Sequence, residues 1–211
     1  MPRRPPVLPL PDNSYGVVFV KDGKRIAVRT EPGGGRLVKR AGPRTSFGSR
    51  TVFSVLRSQG GWAGVVTPFL PNGQLGWVRL DPRRLGSFGS DWSVAVDLSS
   101  RQATLNRDGK VVRSFAVTVG APGTETPVGR FAITDTFRGG LNPAYGCCAA
   151  ALSAHQPKLP SGWLGGSRIA IHGTAEPLGL ALSHGCVRAS NEDVSAIVSH
   201  VPIGSPVVIH Y

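Results

Sequence analysis

The sequence predicts a mostly β protein built as two modules. Apolar residues recur with period two in short runs, and only one stretch shows helical spacing. The 211 residues include 28 Gly and 18 Pro, which punctuate the chain with turns. The charge is also lopsided. Residues 1–90 hold 15 Lys and Arg against 4 Asp and Glu, whereas residues 91–211 hold 9 against 8. A basic module thus precedes a nearly neutral one.

Residues 1–13 read as a proline-rich, extended tail. Its basic start and proline-broken apolar part make a poor secretory leader, and no apolar run reaches transmembrane length. A first β domain spans 14–80. Tyr15–Val20 and Ile26–Arg29 read as strands around the turn Lys21-Asp22-Gly23-Lys24. Glu31-Pro32-Gly33-Gly34-Gly35 reads as a loop. Thr51–Leu56 alternates and runs to Gly60-Gly61-Trp62, and Gly76–Leu80 closes the set. Residues 81–92, Asp-Pro-Arg-Arg-Leu-Gly-Ser-Phe-Gly-Ser-Asp-Trp, read as a linker.

The second domain, 93–211, opens with alternation at Val94, Val96 and Leu98. Asn106-Arg107-Asp108-Gly109-Lys110 has the composition of a hairpin turn. Phe115, Val117 and Val119 share a strand face, and Phe131 and Ile133 share another. The one helix follows Ser190, a capping residue. Acid at Glu192 and Asp193 suits its N-terminal dipole, and Val194, Ile197, Val198 and Val201 form its apolar stripe. Pro202 ends it.

The chemistry concentrates just before that helix. Cys186 lies in Ser183-His184-Gly185-Cys186-Val187-Arg188, downstream of His172-Gly173-Thr174. A thiol attacks a carbonyl as thiolate, and a nearby imidazole lowers its pKa. His172 and His184 are both candidates for that partner. Gly185 lets amides around Cys186 turn towards an oxyanion. Arg188, two residues on, falls on the same face as Cys186 in an extended segment and suits a substrate carboxylate. A zinc site from His172, His184 and Cys186 is the competing reading, but it lacks CxxC or HExxH spacing and a fourth ligand. Cys147 and Cys148 are open to two readings, small buried residues or a disulfide, and a bridge from either to Cys186 would silence the thiol.

Ile171-His172-Gly173-Thr174 followed by Ser183-His184-Gly185-Cys186-Val187-Arg188 resembles the signature of the L,D-transpeptidase catalytic domain, the YkuD family. Val94–Ser99, Phe115–Gly120, Thr126–Phe131 and Gly204–Ile209 resemble its strand blocks, so the resemblance covers 91–211. It implies a YkuD-type β-sandwich or mixed-sheet domain with a short helix after the catalytic Cys. It implies Cys186 as acyl-accepting nucleophile, His172 as general base and the Gly173 carbonyl as the group orienting that imidazole. His184 and Gly185 would supply oxyanion-hole amides, and Arg188, Ser183 and Tyr145 would face substrate. No metal or organic cofactor is implied. The interval from His172 to Cys186 is shorter than the resemblance leads one to expect, which would alter the lid over the donor site. Short strands with Gly-Trp turns also give residues 14–80 a resemblance to a small bacterial SH3-like β-barrel.

The resemblance implies an extracytoplasmic enzyme of the cell envelope acting on peptidoglycan stem peptides. It would form 3–3 crosslinks through a cysteine acyl-enzyme and be acylated by carbapenems. An L,D-carboxypeptidase using water as acceptor and a non-catalytic wall-binding protein are the alternatives. A Cys-His endopeptidase of the NlpC/P60 kind is disfavoured, because there the Cys precedes the His. The basic half favours a polyanionic partner. Zinc-finger spacing and RNP-like aromatic runs are absent, so anionic wall polymers or a membrane surface are expected before nucleic acid.

Overall fold

The computed structural model describes residues 15–159, 161–163 and 166–211. The proline-rich tail expected at 1–13 lies outside the described residues. The basic module contains seven strands: β1 (Tyr15–Val20), β2 (Ile26–Arg29), β3 (Leu37–Ala41), β4 (Val52–Gln59), β5 (Trp62–Val65), β6 (Gly76–Arg79) and β7 (Leu85–Ser90). They form one antiparallel sheet in the order β3-β2-β6-β5-β4-β1-β7. Val18, Val20, Ile26, Val28, Phe53 and Val78 fill its buried side.

Residues 81–92 are therefore not a free linker. Tyr15–Val20 pairs along its whole length with Ser90–Leu85. Gly86 permits this, because the Phe19 ring occupies the space a Cβ there would need. The loop-like composition of β7 is what allows an aromatic to lie across it.

The second module adds β8 (Trp92–Asp97), β9 (Gln102–Arg107), β10 (Lys110–Ala116), β11 (Val119–Gly120), β12 (Gly129–Phe137), β13 (Ala149–His155), β14 (Arg168–Thr174), β15 (Ala181–Ser183), β16 (Val187–Ser190) and β17 (Pro206–His210), with one helix, α1 (Asn191–His200). Eight strands form a mixed sheet in the order β10-β9-β8-β17-β12-β13-β14-β16, and β11 pairs with β15 apart from it. Asp108 and Gly109 both take positive φ, 49° and 73°, as a two-residue turn of primed type requires. Phe115, Val117 and Val119 are all buried, yet the strand breaks after Ala116. Val117 and Thr118 bond instead to Arg101 and Arg188.

Helix α1 forms as its sequence dictates. The Ser190 hydroxyl accepts from the Asp193 amide at 3.1 Å. Such a cap contributes about 1 kcal/mol. Arg113 ties down both first-turn acids, reaching Asp193 at 2.6 Å and Glu192 at 2.9 Å. Val194, Ile197 and Val198 are buried in the second core, which also takes in Ile169, Ile171 and Val187. The helix thereby fixes β14 and β16, the two strands that flank the reactive residues.

The two modules are joined by specific polar contacts. The Asn72 side chain donates to the His155 carbonyl at 2.7 Å and accepts from the His155 amide at 2.9 Å. Ser90 and Ser205 share a buried hydroxyl–hydroxyl bond of 2.6 Å. Among the described residues no helix is long and apolar enough to cross a membrane.

Candidate active site

Strand β14 delivers His172, and β16 begins just after Cys186. These strands pair in parallel, with Ile171 opposite Val187 and His172 opposite Arg188. His172 and Cys186 line one cleft of about 470 Å³, together with Tyr145, Trp163, His184 and Arg188.

His172 is 4% exposed, and its Nδ1 lies 2.9 Å from the Gly173 carbonyl oxygen. A carbonyl only accepts, so Nδ1 carries the proton and donates. Nε2 is then left with its lone pair free. Burial pushes the imidazole below its ordinary pKa, and the Arg188 charge adds to this, while the Gly173 bond opposes it. His172 therefore rests neutral. Tyr145 packs edge-on against its ring, with centroids 4.9 Å apart at 68°.

Cys186 is the free cysteine, since Cys147 and Cys148 are bonded to each other. A bridge from either to Cys186, considered from the sequence, is not formed. Burial raises the Cys186 thiol pKa, with a hydrogen bond from the Ala170 backbone and the Arg188 charge pulling the other way. The sequence alone suggested a thiol lowered by imidazole. The structure instead sets a neutral thiol and a neutral imidazole in the same cleft, because desolvation opposes both charges.

The turn between them is held from within. Ser183 is 1% exposed, and its hydroxyl donates to the Cys186 carbonyl at 2.5 Å and accepts from the Gly185 amide at 3.1 Å. Ser183, expected at the substrate, does line the cleft, and it also staples the turn that carries Cys186. The Gly185 amide, expected in an oxyanion hole, is already spent. Among the described residues the amides of His184 and Cys186 have no such partner. Gly185 adopts φ 110° and sits over Gln156, whose side-chain amide fills the space a Cβ would need.

His184 is exposed and rests against Trp163, with ring centroids 5.0 Å apart. Both histidines line the cleft with Cys186, but His172 is the buried one of the two. Arg188 pairs with the exposed Glu176 carboxylate. An exposed pair of this kind is worth little and is readily exchanged for another carboxylate. Among the described residues no group of three or more His, Cys, Asp or Glu side chains converges as a metal cage.

Three residues went unread in the sequence. Gln156 bonds across to Thr124, Glu125 and His184. Asn191 accepts from the Cys147 amide at 2.9 Å and packs against Gly173. Trp163 covers His184. Each acts through a contact distant in sequence, so no local pattern announces it.

A thiol and a tautomer-fixed imidazole in one cleft, with unpaired amides beside the thiol, are the parts a Cys–His acyl-transfer site requires. Residues 91–209 match the YkuD family, the L,D-transpeptidase catalytic domain, and the chain belongs to that family. It is 33% identical to the YkuD protein of Bacillus subtilis over 121 residues, covering 56% of this chain and 66% of that protein. It is also 33% identical to the YkuD protein of Bacillus licheniformis over 120 residues, covering 56% of this chain and 65% of that one. The chain thus spans just under two thirds of the length of these relatives. A solved structure of L,D-transpeptidase 3 from Mycobacterium tuberculosis, bearing a faropenem-derived adduct, is similar at 20% identity and TM-score 0.49, covering 65% of this chain and 73% of that chain.

Proposed function

We propose that this chain is an extracytoplasmic L,D-transpeptidase that forms 3–3 crosslinks between peptidoglycan stems. The observation that carries this reading is the His172 tautomer, fixed by Gly173 in the cleft that also holds Cys186. Family membership supports the reaction class.

In this reading Nε2 of His172 removes the Cys186 proton as sulfur attacks the carbonyl of the third stem residue of a tetrapeptide. The oxyanion is met by the free amides of Cys186 and His184. The imidazolium then gives its proton to the departing D-alanine amine, leaving a thioester. A neutral amine of a second stem attacks the thioester, and His172 takes that amine's proton. Collapse expels the sulfur, which recovers the proton from His172. Arg188 exchanges Glu176 for a stem carboxylate and orients the donor. No metal or organic cofactor enters these steps.

The test is intact-mass spectrometry with a carbapenem, followed by product analysis with a disaccharide tetrapeptide. The expected results are one covalent adduct, lost in Cys186→Ala, and a crosslinked dimer with release of D-alanine. A folded wild type that takes no adduct overturns the nucleophile. Trimmed tripeptide without dimer overturns transfer in favour of hydrolysis.

A further inference from the structure

The basic surplus of the first module collects in one place. A groove of about 850 Å³ is lined by Arg25, Arg29, Arg40, Arg79, Arg83 and Arg84, with Asp81 as its one carboxylate. Asp81 is already engaged by Arg83 at 3.1 Å and Arg84 at 3.6 Å. Among the described residues Arg25, Arg29, Arg40 and Arg79 have no carboxylate within 4.0 Å. A guanidinium does not shed its proton at any physiological pH. The groove therefore keeps a surplus of positive charge that attracts an anion from outside.

Strand register interleaves these cations with aromatic rings. Arg40 pairs with Ala27, and Val28 pairs with Val78, so Ala27 stands level with Arg79. Arg79 in turn pairs with Trp62. In the adjoining row on the same face, Arg29 pairs with Trp77, and Trp77 with Gly64. The alternate residues Val28, Ala63 and Val78 are fully buried, so the Arg and Trp positions face outward. Gly64 leaves room for Trp77 to lie flat, its Cη2 being 3.2 Å from where a Cβ would stand. Arg29 is pinned by its bond to the Gly35 carbonyl at 2.8 Å, and Arg84 by its bond to the Arg25 carbonyl at 2.9 Å.

We infer that this outer face of the first sheet binds an anionic glycan, a sugar polymer bearing carboxylate or phosphodiester groups. The guanidiniums take the anions bidentately, and the indole faces take the apolar faces of the sugar rings. A groove admits a single chain, whereas a bilayer surface meets only its rims. The choice of a glycan over a nucleic acid rests on the proposed place of the enzyme at the cell wall.

The probe is a polygalacturonate oligomer, titrated calorimetrically and by tryptophan fluorescence. Uncharged dextran, oligo-dT of equal charge and phosphatidylglycerol vesicles are run in parallel. The oligomer should bind, dextran should not, and affinity should fall log-linearly with salt. The double variant Arg40→Glu/Arg79→Glu should weaken binding by about tenfold or more, and Trp62→Ala should weaken it without changing the salt slope. Carbapenem acylation of Cys186 should be unchanged in each variant, which shows that the fold is kept. No binding, equal binding by the double variant, or tighter binding of oligo-dT or vesicles would overturn the inference. A wild type that binds the oligomer yet takes no carbapenem adduct overturns only the transpeptidase reading.

Discussion

The side-chain amide of Gln156 occupies the space beneath Gly185, the residue before the candidate nucleophile. That amide donates to the carbonyls of Thr124 at 3.0 Å, Glu125 at 3.1 Å and His184 at 3.2 Å. One group thus ties the 124–125 loop to the turn that carries Cys186. Gly185→Ala meets both this amide and a strained φ of 110°, at a cost of roughly 1–3 kcal/mol. Gln156→Leu leaves the fold's cores intact but frees the His184–Cys186 amides from their setting. Its acylation rate should fall about 10²-fold, the scale of one misplaced oxyanion donor. Timed intact-mass measurement with a carbapenem checks this, and a wild-type rate in Gln156→Leu would remove Gln156 from the mechanism.

His172→Ala should lower the acylation rate by roughly 10²–10⁴-fold without preventing folding, because the truncation opens onto the cleft. The thiol in the resting site is neutral, so the base acts during attack. Raising the pH should therefore partly rescue the variant, as hydroxide takes over the proton removal. Rates flat from neutral to alkaline pH in His172→Ala would count against this assignment.

The pH dependence follows from the same burial. The imidazole is held below its ordinary value, so it stays a competent base further into acid than a free histidine. The acid limb of acylation should lie below the usual imidazole pKa of about 6.5. The stability consequence has a definite sign. An unfolded His172 binds its proton more readily than the folded one, so its contribution is present above the unfolded pKa. That contribution diminishes as pH falls from there through the folded value. Thermal melts across that window, comparing wild type with His172→Gln, should show the smaller acid loss in the variant.

Tyr145 is placed to hold the imidazole plane, standing 4.9 Å from it edge-on. It sits on a short 3-10 turn, Pro143–Tyr145, capped by Asn142. Aromatic pairs of this geometry contribute about 0.5–1.5 kcal/mol. Tyr145→Phe should retain the acylation rate, and Tyr145→Ala should lose about threefold to tenfold. Equal losses in both variants would point to the hydroxyl rather than the ring.

The sequence made some of these parts plain and concealed others for physical reasons. Tyr15–Val20 and Ile26–Arg29 were legible to the residue, because an apolar β-branched run and an alternating run lie on either side of clear turn residues. The cap at Ser190 and the stripe at Val194, Ile197 and Val198 were legible because helical capping is local. That His172 and Cys186 would line one cleft was legible from motif. β3 was not, because Leu37, Lys39 and Arg40 are all exposed and only Ala41 is buried. β7 was not, because its Gly86 makes room for Phe19, a residue far earlier in the chain. Ser183 and Gly185 were named, but the bond between them, which occupies the Gly185 amide, is a matter of geometry.

Asn72 supplies the last prediction. Its side-chain amide brackets the backbone of His155 as a neighbouring strand would, with bonds of 2.7 and 2.9 Å. His155 also reaches Pro68 O at 2.8 Å and Ser167 Oγ at 2.7 Å through its two ring nitrogens. The next residue is Gln156, so the first module helps to fix the very segment that supports the Cys186 turn. Asn72→Ala strips partners from a backbone amide and a carbonyl that are only partly open to water. It should destabilise the protein by about 1–3 kcal/mol, read as a lower midpoint in urea. If the modules merely sat side by side, acylation at Cys186 in the folded variant would match wild type. The shared 155–156 backbone requires otherwise: the rate should drop together with stability, by a smaller factor than in Gln156→Leu. Both effects should be absent from Arg79→Ala, a change in the groove lined by residues of the first module alone.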